Sequence, residues 1–145
     1  MALEDDIANL RRIALFEDFE TEALRLLVFG SETKLLRAGD ALFRRGEPSD
    51  GGYILTGGSI ALEKRDDGRP AEKILRPVTL IGETALIAET IRPITALARE
   101  PATTLKITRA LFHRLLEEYP ATAARVRQRL ADRLVQLARD LAFDP

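Results

Sequence analysis

The stretch Gly82-Glu83-Thr84-Ala85 and the pair Arg92-Pro93 carry the residue types best suited to chemistry on a small anion. Gly82 and Glu83 precede a short apolar run that can form a helical turn. The first N–H groups of such a turn lack partners in the chain and favour an anion such as a phosphate. Glu83 at that turn can accept hydrogen bonds from a sugar hydroxyl. Arg92 lies just before the strand-like segment "ITALA". An arginine turned inward there needs an anionic partner, and its planar fork matches a phosphate. On spacing alone the same residues also read as a turn with a surface ion pair.

Other chemistries lack their residues. Cysteine is absent and His113 is the single histidine, so thiolate chemistry and a multi-histidine metal site are excluded. His113 sits at helical spacing with no Ser or Cys beside it, and reads as a surface or partly buried helix residue. Adjacent residues on a helix diverge by about 100°, so Glu117 and Glu118 form no acid pair. Asp66-Asp67 reads as turn chemistry. We therefore expect no enzyme, no metal and no prosthetic group. The formal net charge of −1 argues against bulk electrostatic binding of nucleic acid or membrane. No apolar run approaches the ~20 residues of a membrane span. The acidic start "MALEDDIANL" is unlike a signal peptide. A cytoplasmic location is expected.

The elements that must position these residues change character along the chain. Residues of about 5–30 read as helices, with Ile7, Leu10 and Ile13 on one face, Leu24, Leu27 and Val28 on another, and Thr21 as an N-cap. From about 33 to 107, short apolar segments alternate with Gly- or Pro-bearing turns, the texture of an all-β roll, barrel or sandwich. "KRDDGRPAEK" reads as a hairpin tip on Asp67-Gly68. "TALARE" and "PATTLKI" read as a second hairpin around Glu100-Pro101. Helices return from about 109 to 141. Thr108 is the expected N-cap, with Leu111, Phe112, Leu115 and Leu116 buried. After Pro120 comes a narrow stripe of Ala123, Val126, Leu130, Leu134, Leu137 and Leu141. That stripe packs on its own roll, pairs with a second copy, or docks on a partner. Arg125, Arg129 and Arg133 run beside it as a solvated row, or as a source of one arginine that covers a ligand. Residues 1–145 are expected to form one unit.

The order of these features resembles the cyclic nucleotide-binding domain family. "LFEDFETEALRLL" looks like the family's opening helices. "LRAGDALFRRGEPSDGGYILTGGSIALEK" carries its Gly39-Asp40 and Gly46-Glu47 turns, its Tyr53-Ile54 strand and its Gly58-Ser59-Ile60 start. "IGETALI" with Arg92 is similar to its phosphate-binding cassette, residues 82–96. "LFHRLLEEYPATAARVRQRLADRL" resembles its closing helices. The resemblance implies a mainly β, jelly-roll-like β-roll with N-terminal helices and a C-terminal lid helix. It also implies roles. Gly82 and Ala85 would let backbone amides approach a cyclic phosphate, Glu83 would hold the ribose 2′-hydroxyl, and Arg92 would neutralise the phosphate. Thr84, Pro93, Ile94 and Thr95 would complete the cassette, and Ile60, Leu62 and Leu80 would wall in the base.

Two residues and one segment depart from the family's pattern. Pro93 stands where Ala, Ser or Thr is usual, and it offers neither N–H nor hydroxyl. One lost bond to a charged oxygen costs about 1.5–3 kcal/mol, roughly ten- to a hundredfold in affinity. Lacking the hydroxyl, the site favours cyclic AMP over cyclic GMP. Glu89 replaces a common Gly and is expected to face water. "RPVTLIGE" lacks the Gly usual ahead of the cassette. The chain ends at Pro145, where regulators of transcription in the family continue into a helix-turn-helix. The expected function is a stand-alone cyclic nucleotide sensor signalling to a protein partner through its closing helix, with a homodimer through Val126–Leu141 as one arrangement. The alternative is an interaction module that keeps the fold without the ligand, in which Arg92 pairs with an internal carboxylate such as Glu83.

Overall fold

The computed structural model describes residues 2–64 and 73–142. Helix α1 (Ala2–Arg11), a 3-10 turn (Ala14–Phe16) and helix α2 (Thr21–Gly30) open the chain. Eight strands follow: β1 (Glu32–Leu36), β2 (Ala41–Phe43), β3 (Gly51–Gly57), β4 (Ile60–Glu63), β5 (Lys73–Leu75), β6 (Thr79–Ile81), β7 (Thr95–Ala98) and β8 (Ala102–Thr108). A second 3-10 turn (Glu83–Leu86) lies between β6 and β7. Helices α3 (Arg109–Glu118) and α4 (Pro120–Ala142) close the chain. This is the expected β-roll flanked by helices.

The strands form two four-stranded antiparallel sheets, ordered β1-β8-β3-β6 and β2-β7-β4-β5. The alternation of side chains along β3 explains the layering. Tyr53 and Leu55 enter one buried cluster with Phe43, Ile60, Leu75 and Ile81 from the strands. Ile54, between them, enters a second cluster with Phe16, Leu24, Leu27, Phe112 and Leu115 from the helices. The β3 sheet is thus buried on both faces. Phe16 and Phe112 are fully buried, so truncating either to Ala should cost about 3–5 kcal/mol.

Two expectations need correction. β7 and β8 form no hairpin: β7 pairs with β2 and β4, whereas β8 pairs with β1 and β3. The chain crosses between sheets at Arg99–Pro101, beside the β3-to-β4 crossing at Gly58-Ser59. Arg99 N–H donates to the Ser59 carbonyl (3.1 Å), and the Ser59 hydroxyl donates to Glu100 (2.9 Å). Gly58 has φ 80°, and a Cβ there would lie 2.4 Å from the Pro101 carbonyl oxygen. A turn signal marks both a hairpin and a crossing, and only the packing separates them. Second, Thr21 is the first residue of α2 and not its cap, because its hydroxyl accepts from Arg11 (2.8 Å) and Glu20 holds the cap position. The break between the closing helices falls at Tyr119, and α4 begins at Pro120, where a proline's missing N–H costs nothing. Thr108 does cap α3, accepting from the Leu111 N–H at 3.1 Å. β4 and β5 pair as expected, and the hairpin tip at Asp67-Gly68 lies outside the described residues.

The stripe on α4 divides. Ala123 and Val126 are buried, and Leu130 packs at the edge of the helix-side cluster. Residues 131–136 are exposed, including Leu134 at 67%. The side chains of Leu137 and Leu141 lie outside the described residues. The helix therefore packs on its own core up to Leu130, and residues 131–136 leave it.

Candidate functional site

Arg92 is 4% exposed, inside the roll. Its backbone is fixed by exchange with the Gly46–Glu47 turn: Arg92 N–H donates to the Glu47 carbonyl and Gly46 N–H donates to the Arg92 carbonyl, both at 2.8 Å. Its Nη2 donates to the Gly51 carbonyl at 2.7 Å, and the guanidinium lies 4.3 Å from the centre of the Phe43 ring and 5.8 Å from that of Tyr53. Arg92 forms no ion pair with a carboxylate among the described residues. Burial pulls its pKa below the ordinary arginine value, and Tyr53 and Asp50 oppose that pull. A guanidinium stays protonated in such a setting. Buried charges are normally paired, so this cation has the donors and the charge to receive an anion.

The guanidinium opens onto a cavity of about 300 Å³ inside the roll. Of the residues singled out from the sequence, Gly82, Thr84, Arg92, Pro93, Ile94, Leu62 and Leu80 line it. Phe43, Leu75 and Ile81 supply further apolar wall, and Lys73, Thr79 and Thr90 supply polar groups. Four others lie elsewhere. Ile60 is fully buried in the core between the sheets. Thr95 is buried, and its hydroxyl accepts from the Arg45 N–H at 2.9 Å. Ala85 N–H closes the 3-10 turn onto the Gly82 carbonyl at 3.1 Å. Glu83 faces a different groove, described below.

Gly82 is needed at its place. Its φ is 84°, a region that L side chains rarely adopt, and a Cβ there would come within 2.7 Å of Arg92 Nη1. The left-handed turn thus aims the chain out of β6 and leaves room for the guanidinium. Glu89 is exposed, as expected of a loop carboxylate.

Arg109 braces the cassette from behind. Its Nε donates to the Ala85 carbonyl at 3.0 Å, and its Nη2 to the Ser49 carbonyl and hydroxyl at 2.7 and 3.1 Å. Ser49 in turn bonds Thr90 (2.8 Å). The first residue of α3 therefore ties together the cassette turn and the loop whose Gly51 carbonyl holds Arg92. Nothing in the local sequence around Arg109 signals this role. Phe43 and Tyr53 were legible as strand residues only, since the two strands that carry them lie far from Arg92 along the chain.

Glu83 and Arg92 do not pair with each other. Glu83 Oε1 accepts from Arg129 Nε at 3.3 Å, and Oε2 accepts from Arg133 Nη1. These contacts lie in a groove of about 820 Å³ between the Ala14–Phe19 segment and α4. Arg125 donates from the same helix face to the Asp18 carbonyl. The arginine row is therefore not a purely solvated face.

A β-roll holding a buried arginine over a cavity has the charge and the space to receive a small anionic ligand. Residues 33–119 match the cyclic nucleotide-binding domain model, and the chain belongs to that family. It is similar to the solved cyclic nucleotide-binding-like protein from Brucella abortus bv. 1 str. 9-941, at 44% identity and a TM-score of 0.71, covering 78% of this chain and 98% of that one. It is also similar to the N-terminal domain of a transcriptional regulator from Streptomyces coelicolor A3(2), at 28% identity and a TM-score of 0.82, covering 91% and 94%. Among curated proteins, the lysophospholipase NTE1 of Yarrowia lipolytica is 30% identical over 140 residues, covering 82% of this chain and 10% of that protein. The chain spans about a tenth of the length of the curated relatives it matches. No helix among the described residues is long and apolar enough to cross a membrane.

Proposed function

We propose that this domain binds a cyclic nucleotide, cyclic AMP in preference to cyclic GMP, and signals to a protein partner through α4. The observation that carries the reading is the buried guanidinium of Arg92, open to the cavity and in no ion pair among the described residues. The cyclic phosphate supplies the one missing negative charge. The Gly82 turn leaves backbone at the phosphate, and Leu62, Leu80 and Ile94 give the base an apolar wall. Pro93 removes the hydroxyl that would favour guanine, which is the ground for preferring cyclic AMP. Binding would act on α4 at its start, where the single residue Tyr119 separates it from α3. The exposed Leu134 and Val135 beyond it are the face offered to a partner or to a second copy. The domain works as a regulator, in the cytoplasm, with the whole of residues 1–145 as one unit. Titration calorimetry with cyclic AMP and cyclic GMP tests this, and no heat at millimolar ligand would sink it.

Pro93 and the engagement of Glu83 by α4 favour a second reading, an interaction module with no ligand. In that case cyclic nucleotide leaves the melting temperature unchanged. A rise on adding cyclic AMP that Arg92→Met abolishes would exclude it.

A further inference from the structure

We propose that the arginine row of α4 is a latch on Glu83, and that a ligand and the distal half of α4 compete for this one carboxylate. The proposal rests on the ligand reading above for its nucleotide arm; the latch itself stands on geometry alone.

The competition follows from where the carboxylate points. Glu83 sits on the cassette turn next to Gly82 and Thr84, both of which line the cavity, yet its own side chain lines the outer groove. Each of its oxygens is taken by a different guanidinium, Oε1 by Arg129 and Oε2 by Arg133. Its side chain is 20% exposed, against 39% and 53% for the two arginines, so both pairs close at the edge of solvent. To accept a ribose hydroxyl it must turn towards the cavity and leave at least one of them.

The consequence falls on α4. Up to Leu130 the helix is held by apolar burial, but residues 131–136 are exposed and Arg133 ties this part to the body. Arg125 anchors the same face one turn earlier than Arg129, on the Asp18 carbonyl. When Glu83 turns inward, the apolar half keeps its contacts and the distal half is released, carrying Leu134 and Val135 with it. Linkage makes the effect reciprocal: whatever stabilises the latched helix weakens the ligand by the same factor.

The test uses the full chain and the double variant Arg129→Gln/Arg133→Gln. Glutamine removes the charge and keeps a helix propensity close to that of arginine, so fraying is not introduced by composition. Hydrogen exchange without nucleotide should be faster at residues 131–136 in the variant. Its affinity for cyclic AMP should be tighter, by roughly three- to tenfold for two part-exposed ion pairs. Glu83→Gln should also speed exchange, but should weaken cyclic AMP. Exchange unchanged in both variants overturns the latch, whatever the ligand does. Faster exchange with no gain in affinity, in a wild type that binds, overturns the competition. A wild type that binds no cyclic AMP refutes the ligand reading instead, and exchange still decides the latch.

Discussion

Replacing Arg92 by methionine separates a binding role from a structural one. Desolvating a guanidinium costs several kcal/mol. The hydrogen bond to the Gly51 carbonyl at 2.7 Å offsets about 1.5–3 kcal/mol of that, and the stack on Phe43 at 4.3 Å about 2 kcal/mol. The two sides nearly cancel. Met fills similar space against Phe43 without the charge, so Arg92→Met should stay within about 1 kcal/mol of the wild type. In a chain of 145 residues that is a melting shift of no more than about 5 °C. Breaking a buried ion pair would instead cost about 3–5 kcal/mol. Affinity should respond quite differently. Losing a buried charge partner of the phosphate costs about 2–5 kcal/mol, at least about thirtyfold in Kd. Thermal melting and calorimetry with cyclic AMP read the two effects on one sample. A drop of more than 10 °C (about 2–3 kcal/mol at this size), or binding heat equal to that of the wild type, would refute the reasoning.

Pro93→Thr should tighten cyclic AMP by roughly ten- to a hundredfold and Pro93→Ala by less, since Ala restores the N–H but no hydroxyl; calorimetry on both variants checks the order. Gly82→Ala should lose about 1–2 kcal/mol to left-handed strain and weaken binding by displacing Arg92, measured by urea unfolding and by titration. Asp50 is held below its ordinary 3.8 chiefly by its hydrogen bond to Lys106 at 2.9 Å, and Lys106 is held above its ordinary 10.5 chiefly by the same bond. A lowered carboxylate stabilises the fold above its unfolded pKa, and that contribution is lost as pH falls through the folded one. A raised ammonium stabilises below its unfolded pKa and loses its contribution as pH rises through the folded value. Asp50→Asn should therefore lower stability at pH 7, and the loss should shrink as pH falls below 3.8, as urea unfolding across that range will show.

Local pattern was enough for much of this protein. The strand texture between residues 33 and 107 is legible because glycine turns and short apolar runs act over a few residues. The burial of Phe112 and Leu115 is legible because helical spacing repeats over one or two turns, and the Thr108 cap because it needs only the next three residues. The ordered motifs around Gly82 and Arg92 were enough to name the family and to single out two residues that the fold brings to one cavity. Tertiary structure decided the rest. The crossing at Arg99–Pro101 carries the same turn signal as a hairpin, and only the packing of two sheets distinguishes them. The rings under Arg92 come from β2 and β3, and the brace on Ala85 comes from the start of α3, so no local window contains them. The split of the α4 stripe after Leu130 depends on where the core ends, which is a property of the assembled helices and not of the helix. Glu83 is the clearest case. Its neighbours in sequence suggest a sugar ligand, but a carboxylate answers to the nearest cations in space, and those are Arg129 and Arg133, more than 40 residues away along the chain.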